Sequence, residues 1–167
     1  MLYLLSRICF ADCTIQEEVQ SSVVEIQSVD IPELKNKSLG CTTLIELWAS
    51  WCKPCRDIKS PLHNLLSRYP SVYRLPISAD YTAGALRSYL KRQNQTQHGH
   101  YRLSFWSVDG LKKEYARFGA RFEGAIPFLI LLSPTGEILY SATEPTHLVE
   151  LEAVLKAHVP ARPDKQD

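Results

Sequence analysis

No run of some 18 apolar residues occurs in this 167-residue sequence, so no stretch has the length a bilayer-spanning helix needs. There is no internal repeat or low-complexity tract, which excludes solenoids and compositionally disordered segments. Charge of one sign is also missing. Nineteen Lys and Arg against eighteen Asp and Glu leave a formal +1, with no electrostatic footprint for nucleic acid, and none is expected as a partner. The only methionine is Met1, which leaves a soft-metal site without thioether ligands. Five cysteines are too few for a disulfide-built scaffold, and a chain that is 45% hydrophobic and 22% charged can bury one good core without one.

Of the cysteines at 9, 13, 41, 52 and 55, only the last two have an informative spacing. The stretch Trp48-Ala-Ser-Trp-Cys-Lys-Pro-Cys-Arg-Asp-Ile follows the apolar, β-rich run that begins at Thr43 and leads into a helical pattern. Cys52 would then stand at a helix N-terminus, where unpaired N–H groups and the helix dipole favour a thiolate over a thiol. Cys55 would lie one turn inside, less exposed, ready to attack a mixed disulfide formed on Cys52. Pro54 in the first helical turn forfeits no needed hydrogen bond, and Trp51 can shield the disulfide. Lys53 either lowers the Cys52 pKa further or is a solvated surface lysine. The same two thiols as half of a zinc site would need two more ligands, which Cys9 and Cys13 could supply only by folding the head of the chain over the helix start. His63, His98 and His100 offer metal ligands on paper, but no metal or cofactor is expected. Cys41, just before the strand, is read as a small buried thiol packing as a hydrophobe.

Along the chain, Val23 to Ile26 reads as a strand and 30–40 as a polar connector ending in a turn. Thr43 to Ala49 is a buried central strand. A helix is expected from about Cys52 to Arg68 with Leu62, Leu65, Leu66 and Tyr69 on one face, kinked by Pro61. Val72 to Ala79 reads as a strand that Pro76 should confine to an edge or a bulge. A helix follows over 83–93, then a polar loop over 94–100, a strand over 101–108, a turn at Asp109-Gly110 and a short helix over 111–118. Phe128 to Ala142 forms an antiparallel hairpin around Pro134-Thr-Gly136, and Thr146 caps a closing helix carrying Leu148, Leu151, Val154 and Leu155. Alternating strands and helices closed by a hairpin and a helix give an α/β sandwich, helices on both faces of a mixed central sheet.

The Trp48–Cys55 segment, the strand Gly124-Ala-Ile-Pro-Phe-Leu-Ile-Leu-Leu and Ser133-Pro-Thr-Gly-Glu-Ile-Leu-Tyr resemble the thioredoxin superfamily. The added segment before the proline strand resembles the TlpA/ResA-like thiol:disulfide oxidoreductases within it. The resemblance covers about Val23 to His158 and implies a thioredoxin-like three-layer sandwich. It implies that Pro127 is a cis-proline facing the disulfide, that Ile126 offers its backbone to an incoming peptide, and that Trp51, Lys53, Pro54, Ile126 and Pro127 form the substrate-binding surface. Glu46 stands where thioredoxins have a buried acid, which would make it the proton acceptor for Cys55. The alternative is an outward-pointing strand residue. TlpA/ResA-like chains commonly carry an acid three residues after the second cysteine. Here that place holds Ile58, with Asp57 one position earlier.

The expected organisation is an N-terminal segment 1–22, a remnant of a signal or membrane anchor, then the domain 23–158 and a loose polar tail 159–167. The expected activity is that of a thiol:disulfide oxidoreductase working as a reductant on protein substrates, fed by an upstream electron donor, monomeric and without a diffusible cofactor. Its setting would be the bacterial periplasm or cell envelope, with the cytoplasm as the alternative. The rival readings are a redox-linked copper-site chaperone and a non-catalytic binding module on the same fold. A peroxidase of the peroxiredoxin kind would want Pro and Thr ahead of a lone cysteine, where this chain has Trp51 and Ser50.

Overall fold

The computed structural model describes residues 23–95, 99–143 and 148–162. Six strands form one sheet in the order β1-β4-β3-β2-β5-β6: β1 (Val23–Gln27), β2 (Thr43–Trp48), β3 (Tyr73–Ser78), β4 (His100–Phe105), β5 (Phe128–Leu132) and β6 (Ile138–Ala142). The pairs β1–β4, β4–β3 and β3–β2 are parallel, whereas β5 runs antiparallel to β2 and β6 antiparallel to β5. Among the described residues there are five α-helices, besides a 3-10 turn at Ser28–Asp30: α1 (Ile31–Lys37), α2 (Lys53–Ser67), α3 (Ala83–Arg92), α4 (Val108–Ala116) and α5 (Leu148–His158).

The period-2 alternation of strand side chains splits the core into two layers. Leu44, Leu129, Leu131 and Tyr140 pack with Ile58, Leu62, Leu65 and Leu66 of α2 and with Leu151 and Leu155 of α5. The intervening positions Ile45, Leu47, Ile130 and Leu132 pack with Ile31 and Leu34 of α1 and Leu111 and Tyr115 of α4. Every residue of β2 is buried, as a strand covered on both faces requires.

Several expectations are corrected. The connector at 30–40 contains helix α1, because Ile31 and Leu34, one turn apart, bury one face and Pro32 sits in the first turn, where its missing N–H does no harm. Asp109-Gly110 lies inside α4, whose start is set three residues earlier by Ser107, its Oγ accepting from the Gly110 N–H at 3.1 Å. Strand β3 is interior to the sheet despite Pro76. Its ladder to β4 comprises only Ile77 and Ser78, just past the proline, so the segment before it has the edge character proline tolerates. The chain beyond 158 is packed at first: Val159 is buried and the Arg162 N–H donates to the Arg68 carbonyl at 2.7 Å. Helix α2 continues through Pro61. The β5–β6 turn needs Gly136 at φ +82°, where an added Cβ would come 2.8 Å from Leu39. The N-terminal segment, with Cys9 and Cys13, and also His98 and Thr146 lie outside the described residues.

Candidate active site around Cys52 and Cys55

The fully buried β2 delivers the chain into a tight loop at Ala49–Cys52, and α2 begins at Lys53. Cys52 is the N-cap residue, in extended conformation, and its Sγ accepts from the Cys55 N–H at 3.1 Å. Pro54 occupies the first turn. A sulfur so placed receives one of the helix's orphan donors together with the positive end of the dipole. Cys52 and Cys55 are joined as a disulfide, their Cα atoms 5.3 Å apart. Both are buried, Cys55 fully and Cys52 with 5% of its surface exposed. Cys52 is thus the more accessible of the two, but by less than a sulfur standing at an open helix end would be. The bond to Cys55 and the Ile126 carbonyl oxygen, 3.6 Å from Cys52 Sγ, cover it.

That carbonyl belongs to the Ile126–Pro127 peptide, which is cis, as the resemblance implied. Gly124 leads into it at φ +98°, and a side chain there would press on Val108 at 3.0 Å. Pro127 is buried and Ile126 half-buried, so the Ile126 backbone is brought to the edge of the disulfide. Trp51, on the other flank, is 47% exposed. Lys53 is turned to Asp57, Nζ to Oδ2 2.6 Å, an i,i+4 pair at the surface. Ile58 is buried in the α2 face of the core.

Glu46 points inward, 2% exposed. Its Oε2 accepts from Arg74 Nη2 at 3.1 Å, and its Oε1 lies 3.6 Å from the Nζ of Lys59, an ion pair rather than a short hydrogen bond. Lys59 stands one turn beyond Cys55 on α2 and also approaches the Trp48 ring, 3.4 Å from its centroid. Burial lowers the Lys59 pKa, and the Glu46 carboxylate opposes that shift. The cations facing Glu46 were not anticipated. Lys59 reads as one more polar residue of an amphipathic helix, and only its phase relative to Cys55 hints that it turns inward.

Asp80 was also missed. It is fully buried just after β3, and its carboxylate accepts from the Ser50 N–H at 3.0 Å, the Ser50 hydroxyl at 2.5 Å and the Ser78 hydroxyl at 2.7 Å. It therefore fixes the loop that presents Trp51 and Cys52. Cys41 is buried as expected but is disulfide-bonded, not the free thiol packed as a hydrophobe. His100 is buried beside Trp48, ring centroids 6.0 Å apart. Among the described residues no three His, Cys, Asp or Glu side chains converge as a metal site, and no helix is long and apolar enough to cross a membrane.

No protein-family model matches the chain, and neither does any curated protein. Solved structures do. A thiol:disulfide interchange protein of the thioredoxin family from Chlorobium tepidum is 15% identical, with a TM-score of 0.54 over 79% of this chain and 90% of that one. StoA from Bacillus subtilis is 21% identical, with a TM-score of 0.52 over 70% and 83%. A secreted Mycobacterium tuberculosis disulfide oxidoreductase, homologous to Escherichia coli DsbE, is 19% identical, with a TM-score of 0.50 over 71% and 83%. The fold of this chain is thioredoxin-like, with a cysteine pair at the N-terminus of α2 and a cis-proline beside it.

Proposed function

We propose that the chain is a thiol:disulfide oxidoreductase that exchanges the Cys52–Cys55 dithiol with disulfides of protein substrates, working as the reductant. The observation that carries this reading is the capping of α2 by Cys52, with its sulfur held between the Cys55 N–H and the Ile126 carbonyl. In the reduced protein that position favours the Cys52 thiolate. The thiolate attacks one sulfur of the substrate disulfide and forms the mixed disulfide. The substrate's other sulfur leaves as a thiolate and takes a proton from solvent. Cys55 then loses its proton and attacks Cys52 Sγ, releasing the second substrate thiol and leaving the Cys52–Cys55 disulfide. Two electrons pass to the substrate, and a donor dithiol must return them.

In this reading Glu46 receives the Cys55 proton, directly or through Lys59, while Trp51, Pro54, Ile126 and Pro127 hold the substrate chain. Lys53, engaged by Asp57, contributes surface charge. No diffusible cofactor takes part. The proposed setting is the bacterial cell envelope, a reading that the Mycobacterium tuberculosis neighbour, described as secreted, supports. The test is reduction of insulin disulfides by the full chain with dithiothreitol as donor. Catalysis by the wild type, lost in Cys52→Ser, supports the reading. No acceleration by the wild type would instead favour a binding module built on the same fold.

A further inference from the structure

Three aromatic rings from three separate loops form a ladder that starts at the redox motif. Trp51 stacks on Tyr81 with centroids 5.8 Å apart and planes 15° off parallel, and Tyr81 stacks on Trp106 at 6.5 Å and 19°. Tyr81 is 74% exposed and Trp51 47%, although neither is needed to close the core. Large apolar side chains grouped at a surface in this way mark an interaction site.

The rings are held in place by the backbone beneath them. Asp80 ties the Tyr81 loop to Ser50, directly before Trp51. The buried Arg102 donates through Nη1 to the carbonyls of Asp80, at 3.0 Å, and Tyr81, at 3.3 Å. Trp106 Nε1 donates to the Ala79 carbonyl at 3.2 Å. A rigid, exposed aromatic surface loses little entropy when it binds.

We infer that Trp51, Tyr81 and Trp106 form a subsite for an extended polypeptide segment flanking the substrate cysteine, one that carries apolar side chains at every second residue. Two observations select this occupant. The ladder is continuous with the exchange site, since Trp51 immediately precedes Cys52, and a chain joined to Cys52 through its own sulfur therefore begins beside the first ring. The ring spacings of 5.8 and 6.5 Å also approach the roughly 6.6 to 6.8 Å between same-face side chains of an extended strand, so alternate residues fall against successive rings. The inference rests on the proposed exchange activity and adds to it a preference for unfolded, apolar segments over compact hydrophilic disulfides.

The test uses reduced full-length protein and short peptides whose cysteine is disulfide-linked to a small thiol. The rate of exchange is measured for peptides with Phe at the second and fourth positions from the cysteine, with Phe at the first and third, and with Ser throughout, in both chain directions. Hydroxyethyl disulfide reports exchange without a peptide. The wild type should favour the second-and-fourth pattern in one direction by about tenfold over the Ser peptide, the size expected from two aromatic contacts. Tyr81→Ala should reduce that preference to within about twofold and leave the hydroxyethyl disulfide rate unchanged. Equal rates for all peptides in the wild type would overturn the inference, as would a preference that survives Tyr81→Ala or one that follows the first-and-third pattern. If hydroxyethyl disulfide itself does not react, it is the exchange reading that fails, and the subsite falls with it.

Discussion

The Lys59 ammonium lies 3.4 Å from the centroid of the Trp48 ring, between that aromatic face and the Glu46 carboxylate. The ring's quadrupole and the carboxylate both stabilise a cation that burial disfavours. Because burial is the largest effect, the Lys59 pKa is lowered in the folded protein. A base with a depressed folded pKa destabilises the fold while it stays charged, and the penalty is relieved as pH rises towards the unfolded value of about 10.4. Wild type should therefore gain stability relative to Lys59→Met as pH is raised from neutrality to about 10, measured by urea unfolding at each pH. A difference independent of pH would show that Lys59 titrates as it does in water.

Glu46→Gln keeps the size of the side chain and its contact with Arg74 but removes the proton acceptor. Resolution of a Cys52 mixed disulfide should slow by roughly tenfold or more near neutral pH, because general-base help is worth about 10² to 10⁴ and water replaces part of it. The first attack by Cys52 should change much less. Stopped-flow measurement of the two steps decides it, and an unchanged resolution rate would reduce Glu46 to the structural partner of Lys59 and Arg74.

Asp80→Ala leaves the Ser50 N–H and hydroxyl and the Ser78 hydroxyl without their buried acceptor. The expected loss is about 3 kcal/mol, since hydrogen bonds to a charged group are each worth more than neutral ones and their orphaned partners stay desolvated. Chemical denaturation measures this, and a loss under about 1 kcal/mol would mean the loop before Cys52 is held by other contacts.

Tyr115 is fully buried, and its hydroxyl has no hydrogen-bond partner among the described residues. Burial pushes its pKa well above the ordinary phenol range. A raised folded pKa gives stability that is full below the unfolded value of about 10 and is lost as pH rises beyond it. Tyr115→Phe should match or exceed the wild type in thermal stability at pH 7, because it removes an unpaired buried hydroxyl, and should lose less stability above about pH 10. A clear destabilisation at pH 7 would reveal a partner for that hydroxyl.

Much of the site was legible in the sequence because its geometry is local. Cys52, Pro54 and Cys55 lie within one helical turn, so spacing alone places them at the start of α2. The cis peptide before Pro127 came from the resemblance, because an X-Pro pair by itself favours trans. What could not be read were side-chain meetings across the sheet. Arg74 reaches Glu46 from two residues before Glu46's register partner Pro76 on β3, and Lys59 reaches it from α2. Asp80, Tyr81 and Trp106 stand in loops whose proximity to Trp51 follows from the strand order, which no local pattern specifies. The error at α1 has a different origin. Its seven residues carry only two buried apolar side chains, too short a period to stand out from a polar connector.

Trapping distinguishes the roles of the two thiols. Cys55→Ser should hold substrates as stable mixed disulfides on Cys52, and Cys52→Ser should hold none, as non-reducing gels after acid quenching would show. Equal trapping by both variants would mean that Cys55, despite its full burial, also initiates exchange.

The proposed exchange requires that Cys52 and Cys55 interconvert reversibly between dithiol and disulfide as one two-electron couple in the folded protein. Equilibration in graded ratios of reduced to oxidised glutathione, followed by acid quenching, alkylation and mass spectrometry of each cysteine, tests it most directly. These two thiols should appear together, in a single transition with the tenfold change per roughly 30 mV of a two-electron couple, while the fold persists. A pair that stays oxidised until the protein unfolds would contradict it.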